Sequence, residues 1–282
     1  MSSCNACRAT PCFERDGSRM PILGLGTFQA TGDTCRAAVR TALELGYRHL
    51  DTARMYENES EVGAGIRDAG IDREALFLTT KLETGQLHPA GVRASCDRSL
   101  QLLGLDYVDL LLIHWPEQGM SLADTLGAMA DLRGQGKIRH LGVSNFTVEL
   151  LVDAVAATDV PIFCNQVEYH PYLSQDPVLA GCREHNIALV SYSPLARGRA
   201  ADDKRLAVIG RKYGKTGAQV ALRWLVRQNG VVAIPKGGSE AHIRENLQVF
   251  DFDLDADDLA VIAGFERDQR LIDPDFAPDW DT

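Results

Sequence analysis

Eight short apolar runs recur along the chain: ILGLGTF, YRHLDTA, ALFLTTK, YVDLLLIHW, IRHLGVSN, IFCNQVEYH, IALVSYSPL and VVAIPKG. They are almost continuously apolar until their last residues. That is the pattern of strands covered on both faces, the mark of a parallel sheet. Segments of a different rhythm separate them. DTCRAAVRTALELG and NESEVGAGIRDAG carry apolar residues at i, i+3, i+4 and i+7, start on polar residues and stop at Gly, so each predicts a helix with one buried face. Eight strand–helix units in one chain close into a barrel more readily than they spread into an open sheet. The predicted fold is α/β, a (β/α)8 TIM barrel, and its repetition is architectural, without a repeated sequence motif.

Two additions flank the barrel. Asp16-Gly17 supplies the positive φ angles of a tight turn, which predicts a short N-terminal hairpin. From about Asp255 a C-terminal extension is predicted, whose RLIDPDFAPDW is too rich in Pro for a further regular element. No linker rich in Pro, Gly or Ser divides the chain, so residues 13–282 read as one domain behind a flexible tail of residues 1–12.

A length of 282 residues suits one barrel, and with 45% hydrophobic and 24% charged residues the composition is that of a globular protein. No apolar run reaches the length of about 18 residues that crosses a bilayer, and the start MSSCNACRAT lacks the cationic and apolar stretches of a secretory signal. A cytoplasmic location is the expectation. The net charge of −10 argues against nucleic acid and anionic membrane as partners, since both require a basic face, and favours a small-molecule partner. Seven scattered cysteines do not form a disulfide framework. Cys4, Cys7 and Cys12 cluster, but no second pair completes a zinc site, so no metal is expected.

In a barrel of this kind the βα loops converge at the C-terminal ends of the strands, so the residue on which each strand ends is informative. The second ends at Asp51 with Tyr56 beyond it, the third at Lys81, the fourth at His114 before Trp115. Singly, each has a bland reading: a helix cap, a surface charge, a core histidine. Together they put an acid, a phenol, an amine and an imidazole at one mouth. A free phenol has a pKa near 10 and is a poor proton donor at neutral pH, but a nearby ammonium lowers it. Lys81 can therefore tune Tyr56, Asp51 can hold Lys81, and His114 can orient a carbonyl oxygen. This is equipment for protonating a carbonyl oxygen while its carbon receives hydride. Ser144, Asn145 and Gln166 offer hydroxyl and amide groups suited to a carboxamide, and Tyr192 offers a ring for stacking. After the eighth strand come Lys236, a Gly-Gly turn, and Ser239 at a helix start that favours phosphate.

On GLGTF, LDTARMYENESEVG, TTKL, VDLLLIHWP, GVSNF, NQVEYHP, SYSPLARG and IPKGGSEAHIRENL, the chain resembles the aldo-keto reductases over about residues 13 to 280. Its short form and its ending look most like the bacterial 2,5-diketo-gluconate and methylglyoxal reductases. The resemblance implies Tyr56 as general acid, with Asp51 and Lys81 lowering its pKa and His114 orienting a small aldehyde or ketone. It also implies NADPH held by Gly26, Thr27, Ser144, Asn145, Gln166, Tyr192, Ser193, Leu195, Lys236, Ser239, His242 and Asn246, without a G-x-G-x-x-G fingerprint. Many such relatives are monomers, and a monomer is expected here.

Three positions depart from the family. His242 stands where Arg usually clasps the adenosine 2′-phosphate, which implies partial use of NADH. Glu83 stands where relatives often carry an aromatic pocket residue, and an acid there disfavours anionic substrates. Phe28 replaces a frequent Trp, leaving Trp115 as the larger aromatic wall of an apparently roomy pocket. The loop from SYSPLARG to Asp203 is short, implying a small belt over the cofactor. Relatives of this fold also serve as cofactor-binding regulatory subunits with little turnover, and NAD-linked alcohol oxidation is the alternative within the enzyme class.

Overall fold

The predicted hairpin forms β1 (Cys12–Arg15) and β2 (Ser18–Pro21), joined by Asp16 and Gly17 at φ 51° and 78°. The computed structural model describes residues 10–280, so Cys4, Cys7 and most of the predicted tail lie outside the described residues. Cys12 itself opens β1 and pairs with Pro21, one residue before the predicted domain boundary.

The eight apolar runs give β3 (Leu25–Gly26), β4 (His49–Asp51), β5 (Phe77–Leu82), β6 (Val108–Ile113), β7 (Ile138–Ser144), β8 (Ile162–Glu168), β9 (Ala188–Tyr192) and β10 (Val231–Ala233). Each pairs in parallel with the next. The ring closes where Gly24 N–H donates to Ala233 O at 2.9 Å, Ala233 N–H to Ile22 O at 2.9 Å and Gly26 N–H to Pro235 O at 3.1 Å. A closed ring leaves no sheet edge.

Helices α1 (Gly32–Leu45), α2 (Glu59–Ala69), α3 (Pro89–Leu103), α4 (Leu122–Gly134), α5 (Val148–Ala156) and α6 (Asp176–Glu184) alternate with the strands. Between β9 and β10 come α7 (Arg199–Asp202), α8 (Lys204–Tyr213) and α9 (Gly217–Val226), and α10 (Glu240–Leu247) and α11 (Ala256–Ala263) follow the barrel. The extension opens with a helix: the side chain of Asp255 caps α11 in a reciprocal box with Asp258, whose carboxylate also accepts from Tyr213 on α8. Only the segment after Phe265 is irregular, as its prolines require.

Burial divides into layers. Phe77, Leu110, Leu112, Phe163, Cys164 and Val190 fill the barrel interior, with Met20 of the hairpin plugging its lower end. Val39, Leu43, Val62, Leu111 and Leu141 lie among those that join strands to the helical ring. Burial raises the thiols of Cys35, Cys96 and Cys182 to about 11, 12 and 12, and no disulfide forms among the described residues. Among the described residues no helix is long and apolar enough to cross a membrane.

Gly63 marks the tightest contact of the helical ring. A Cβ there would lie 2.1 Å from the backbone oxygen of Leu103 at the end of α3. Gly63→Ala should therefore destabilise the fold by about 1–3 kcal/mol through overpacking. Urea denaturation checks this, and an unchanged midpoint would contradict the close approach.

Candidate active site

Alternate residues of a strand share a face. The interior faces that begin with apolar Phe77, Leu110 and Cys164 continue upward to Lys81, to His114 just past β6, and to Gln166. The same period that fills the lower barrel with hydrocarbon delivers polar groups to its upper mouth. Asp51, at the end of β4, lies beside Thr79 of β5, two residues before Lys81. All four predicted groups, Asp51, Tyr56, Lys81 and His114, meet there.

The centre is a buried ion pair. Lys81 Nζ donates to Asp51 Oδ1 at 2.5 Å, to Thr52 O at 2.9 Å and to the Tyr56 hydroxyl at 3.3 Å. These contacts use all three donors of an ammonium. The second carboxylate oxygen of Asp51 accepts from Gln166 Nε2 at 2.7 Å. Burial is the largest single influence and would lower the Lys81 pKa, but the charges of Asp51 and Tyr56 and the hydrogen bonds to both together outweigh it and hold Lys81 above the usual lysine value.

Tyr56 sits in a single 3-10 turn, Arg54–Tyr56, its ring half-buried between Phe28 at 5.0 Å and His114 at 5.7 Å. Here the structure corrects the sequence reading. Burial raises the phenol, Lys81 pulls it down without cancelling that effect, Asp51 by its own charge raises it rather than lowering it, and the pKa stands above its ordinary value. The phenol is therefore protonated at neutral pH, the state a proton donor needs. His114 is lowered well below its usual range by burial and by Lys81, so it is neutral. Its Nδ1 is buried without a hydrogen-bond partner among the described residues. A buried acceptor without a partner is tolerated better than a buried donor. The proton is therefore assigned to Nε2, which becomes the donor.

The predicted cofactor groups line the adjoining strand ends. Gly26 pairs with Asp51, and both the N–H and the hydroxyl of Thr27 donate to Asp51 O. The Ser144 hydroxyl donates to Gln166 O at 2.8 Å. Asn145, at φ 63°, donates to His114 O and Ser144 Oγ and accepts from the Tyr192 hydroxyl at 2.8 Å. Its donors are thus used within the protein, as is that of the Ser144 hydroxyl. Ser193 (φ 48°) and Leu195 begin a compact turn running into α7, so the segment from SYSPLARG to Asp203 is short and helical. Lys236 is exposed and donates to Gln29 O at 3.2 Å. Ser239 caps α10 by accepting from the N–H of His242, whose side chain is exposed, while Asn246 is buried on the same helix.

Aromatic rings beyond those predicted gather beside the mouth. Phe28 is 48% exposed and rests on Tyr56. Phe276 and Trp280 of the extension pack edge-on to Trp115, with centroids 5.5 and 6.1 Å away. Glu83 is half-exposed.

Two further groups shape the site. Asn58, read in the sequence as a helix start, is fully buried and does not cap α2 with its side chain. It accepts from Thr52 and donates to Thr27 O and Ala30 O, tying together the loops that carry Asp51 and Phe28. Glu168, inside the quoted NQVEYHP, receives backbone N–H groups from the extension. A buried polar residue within an apolar run was its only signal.

The aldo/keto reductase family model matches residues 22–267. The methylglyoxal reductase DkgB of Escherichia coli O157:H7 is 40% identical over 266 residues, covering 93% of this chain and 99% of that protein. A crystal structure provisionally assigned as 2,5-diketo-D-gluconic acid reductase B superposes with a TM-score of 0.94 at 42% identity, covering 97% of this chain and 98% of the other. The Bombyx mori aldo-keto reductase in complex with NADP superposes with a TM-score of 0.87 at 35% identity, covering 96% and 97%.

The depressed pKa of His114 gives a direct expectation. Its ring-nitrogen NMR signals should report a neutral imidazole with the proton on Nε2 throughout pH 6 to 8, about the unperturbed histidine range. An imidazolium signal appearing near pH 6.5 would contradict the burial-driven shift.

Proposed function

The chain belongs to the aldo/keto reductase family, and on that footing we propose that it reduces small aldehydes and ketones to alcohols with NADPH, Tyr56 giving the proton. The observation that carries this is the contact of the Tyr56 hydroxyl with a lysine whose other two donors are held by Asp51 and Thr52. A bound nicotinamide would supply the hydride.

His114 Nε2–H donates to the substrate carbonyl oxygen and fixes its direction. As negative charge grows on that oxygen, the Tyr56 hydroxyl transfers its proton to it, and the product leaves as an alcohol. The phenolate left behind is stabilised by the Lys81 ammonium, which Asp51 keeps charged. Solvent then reprotonates Tyr56 through the open mouth.

Gln166 and Tyr192 fit the nicotinamide. Gln166 spends its Nε2 on Asp51, and its Oε1 accepts no hydrogen bond among the described residues, leaving an acceptor for a carboxamide. The Tyr192 ring is oriented by its hydroxyl bond to Asn145, which presents a fixed face for stacking. On the phosphate side, Gly237 lies so close to Ile243 that a Cβ would stand 2.2 Å from its Cγ1, so the backbone hugs the start of α10 below Lys236 and Ser239. Lys236 and His242 are both exposed there. A histidine is a weaker and pH-dependent cation than arginine, so NADH is used alongside NADPH. Methylglyoxal and related small carbonyl compounds are the proposed substrates, with diketo-sugar acids disfavoured by Glu83.

The completeness of the Asp51, Tyr56, Lys81 and His114 set supports turnover over a purely regulatory role. Mixing the protein with NADPH and methylglyoxal or 4-nitrobenzaldehyde should consume the nicotinamide absorbance, and no rate above background would reject the reading. Tyr56→Phe keeps the ring and removes the proton donor, so the rate should fall by about two to four orders of magnitude. Retention of more than about a tenth of the rate would refute the assigned role. Initial rates at subsaturating cofactor should favour NADPH over NADH by less than about a thousandfold, the ratio of roughly 4 kcal/mol, and a larger preference would defeat the reading of His242.

A further inference from the structure

Glu168 ends β8 on the interior face shared with Gln166 and is fully buried. Its carboxylate is ringed by N–H groups. His170 Nε2 lies 2.9 Å from Oε1, Leu271 N–H donates to Oε1 at 2.9 Å and to Oε2 at 3.1 Å, and Ile272 N–H donates to Oε2 at 2.9 Å. The Tyr172 N–H donates to His170 Nδ1 at 3.3 Å, so Nδ1 is an acceptor and the proton of the neutral ring sits on Nε2, facing Glu168. Every neighbour therefore presents a donor, and only an acceptor-only group satisfies them all.

The segment after Phe265 reaches the barrel at few places. Ser174 N–H donates to Arg267 O at 2.8 Å, the Arg267 guanidinium pairs with Asp176 at 3.1 Å, Gln269 N–H donates to Tyr172 O at 2.9 Å, and Glu168 then takes Leu271 and Ile272. Beyond that point, among the described residues, the hydrogen bonds of residues 273–280 stay within the segment: Trp280 Nε1 to Asp273 Oδ1 at 2.7 Å and Ala277 N–H to Pro274 O at 2.8 Å. The Arg270 guanidinium lies 3.6 Å from the centroid of the Trp280 ring. Glu168 is thus the last hydrogen-bonded anchor before the two rings that meet Trp115.

We propose that Glu168 is a positioning residue for substrate selection, its carboxylate fixing the strap of residues 266–280 so that Phe276 and Trp280 pack on Trp115 and form one set aromatic wall with it. The inference rests on the reductase reading for its substrates, while its structural part stands without it. A wall of aromatic edges held in place adds a ring contact for flat aromatic carbonyl compounds, a contact that a loosened ring loses. Methylglyoxal is too small to need the wall and depends on Tyr56 and His114 alone.

Glu168→Gln tests this with little change of volume, since its amide nitrogen must confront at least one N–H. Trp280→Ala removes the wall directly, and Ile272→Pro removes one donor from the strap while leaving the carboxylate in place. For Glu168→Gln and Trp280→Ala, KM for 4-nitrobenzaldehyde should rise about tenfold relative to KM for methylglyoxal, as expected for a lost ring contact, so that the aromatic-to-small ratio of kcat/KM falls by the same factor. Tryptophan-fluorescence quenching by 4-nitrobenzyl alcohol should report the same loss of affinity without turnover. In Glu168→Gln, hydrogen exchange at the Leu271 and Ile272 amides should accelerate.

Equal losses with both substrates, or unchanged aromatic binding, would overturn the proposal. If Glu168→Gln does not fold, Ile272→Pro is judged by the aromatic-to-small ratio and by quenching, with the same outcomes deciding. If the parent protein turns over neither aldehyde, the reductase reading falls, and quenching together with amide exchange still decides whether Glu168 holds the wall.

Discussion

The buried pair of Lys81 and Asp51 is the constraint on which the upper half of the barrel is organised. Removing a lysine and a carboxylate from water costs several kcal/mol per ion, and an apolar pair of similar size would commonly fold as well or better. Stability therefore does not explain its presence. What the pair does is fix a positive charge against one phenol in a dry site, and the surrounding groups serve that end. Thr52 O and the Tyr56 hydroxyl take the remaining ammonium donors, and Gln166 takes the second oxygen of Asp51. Both ions are thus satisfied, as a buried pair requires. Losing one partner would strand the other charge at a cost of about 3–5 kcal/mol.

Closure of the sheet is what makes such a site affordable. Because alternate residues face inward, one strand can carry Phe77 at the packed lower level and Lys81 at the mouth, and the hydrocarbon below excludes water from the ion pair above. The same desolvation acts oppositely on the neighbouring groups: it keeps Tyr56 protonated and His114 neutral. Two groups of different acidity, both protonated and neutral, thereby stand side by side, with ring centroids 5.7 Å apart.

Most of the fold was legible in the sequence, because strand and helix periods are local. The eight strands appear where the apolar runs end on chemistry, and the strand-end rule brought Asp51, Lys81 and His114 together before any coordinates. Three things were not legible. The net pKa direction of Tyr56 depends on how far burial outweighs Lys81, which spacing alone does not give. Asn58 looked like a helix cap because the sequence does not show that its side chain turns away to Thr27 and Ala30. The ring partners of Trp115, Phe276 and Trp280, were not legible because they lie more than 150 residues away in a segment without periodicity. Long-range contacts made by irregular chain leave no pattern to read.

The role of the buried pair can be measured through Lys81→Met, which preserves much of the side-chain volume while removing the charge. Single-turnover reduction of methylglyoxal, with cofactor affinity measured in parallel, isolates the chemical step. If the ammonium enables proton donation by Tyr56, the rate falls by at least about a hundredfold, the lower range of a general-acid contribution, while cofactor affinity stays close to that of the parent. A folded Lys81→Met protein reacting within about threefold of the parent, well inside that range, would contradict it.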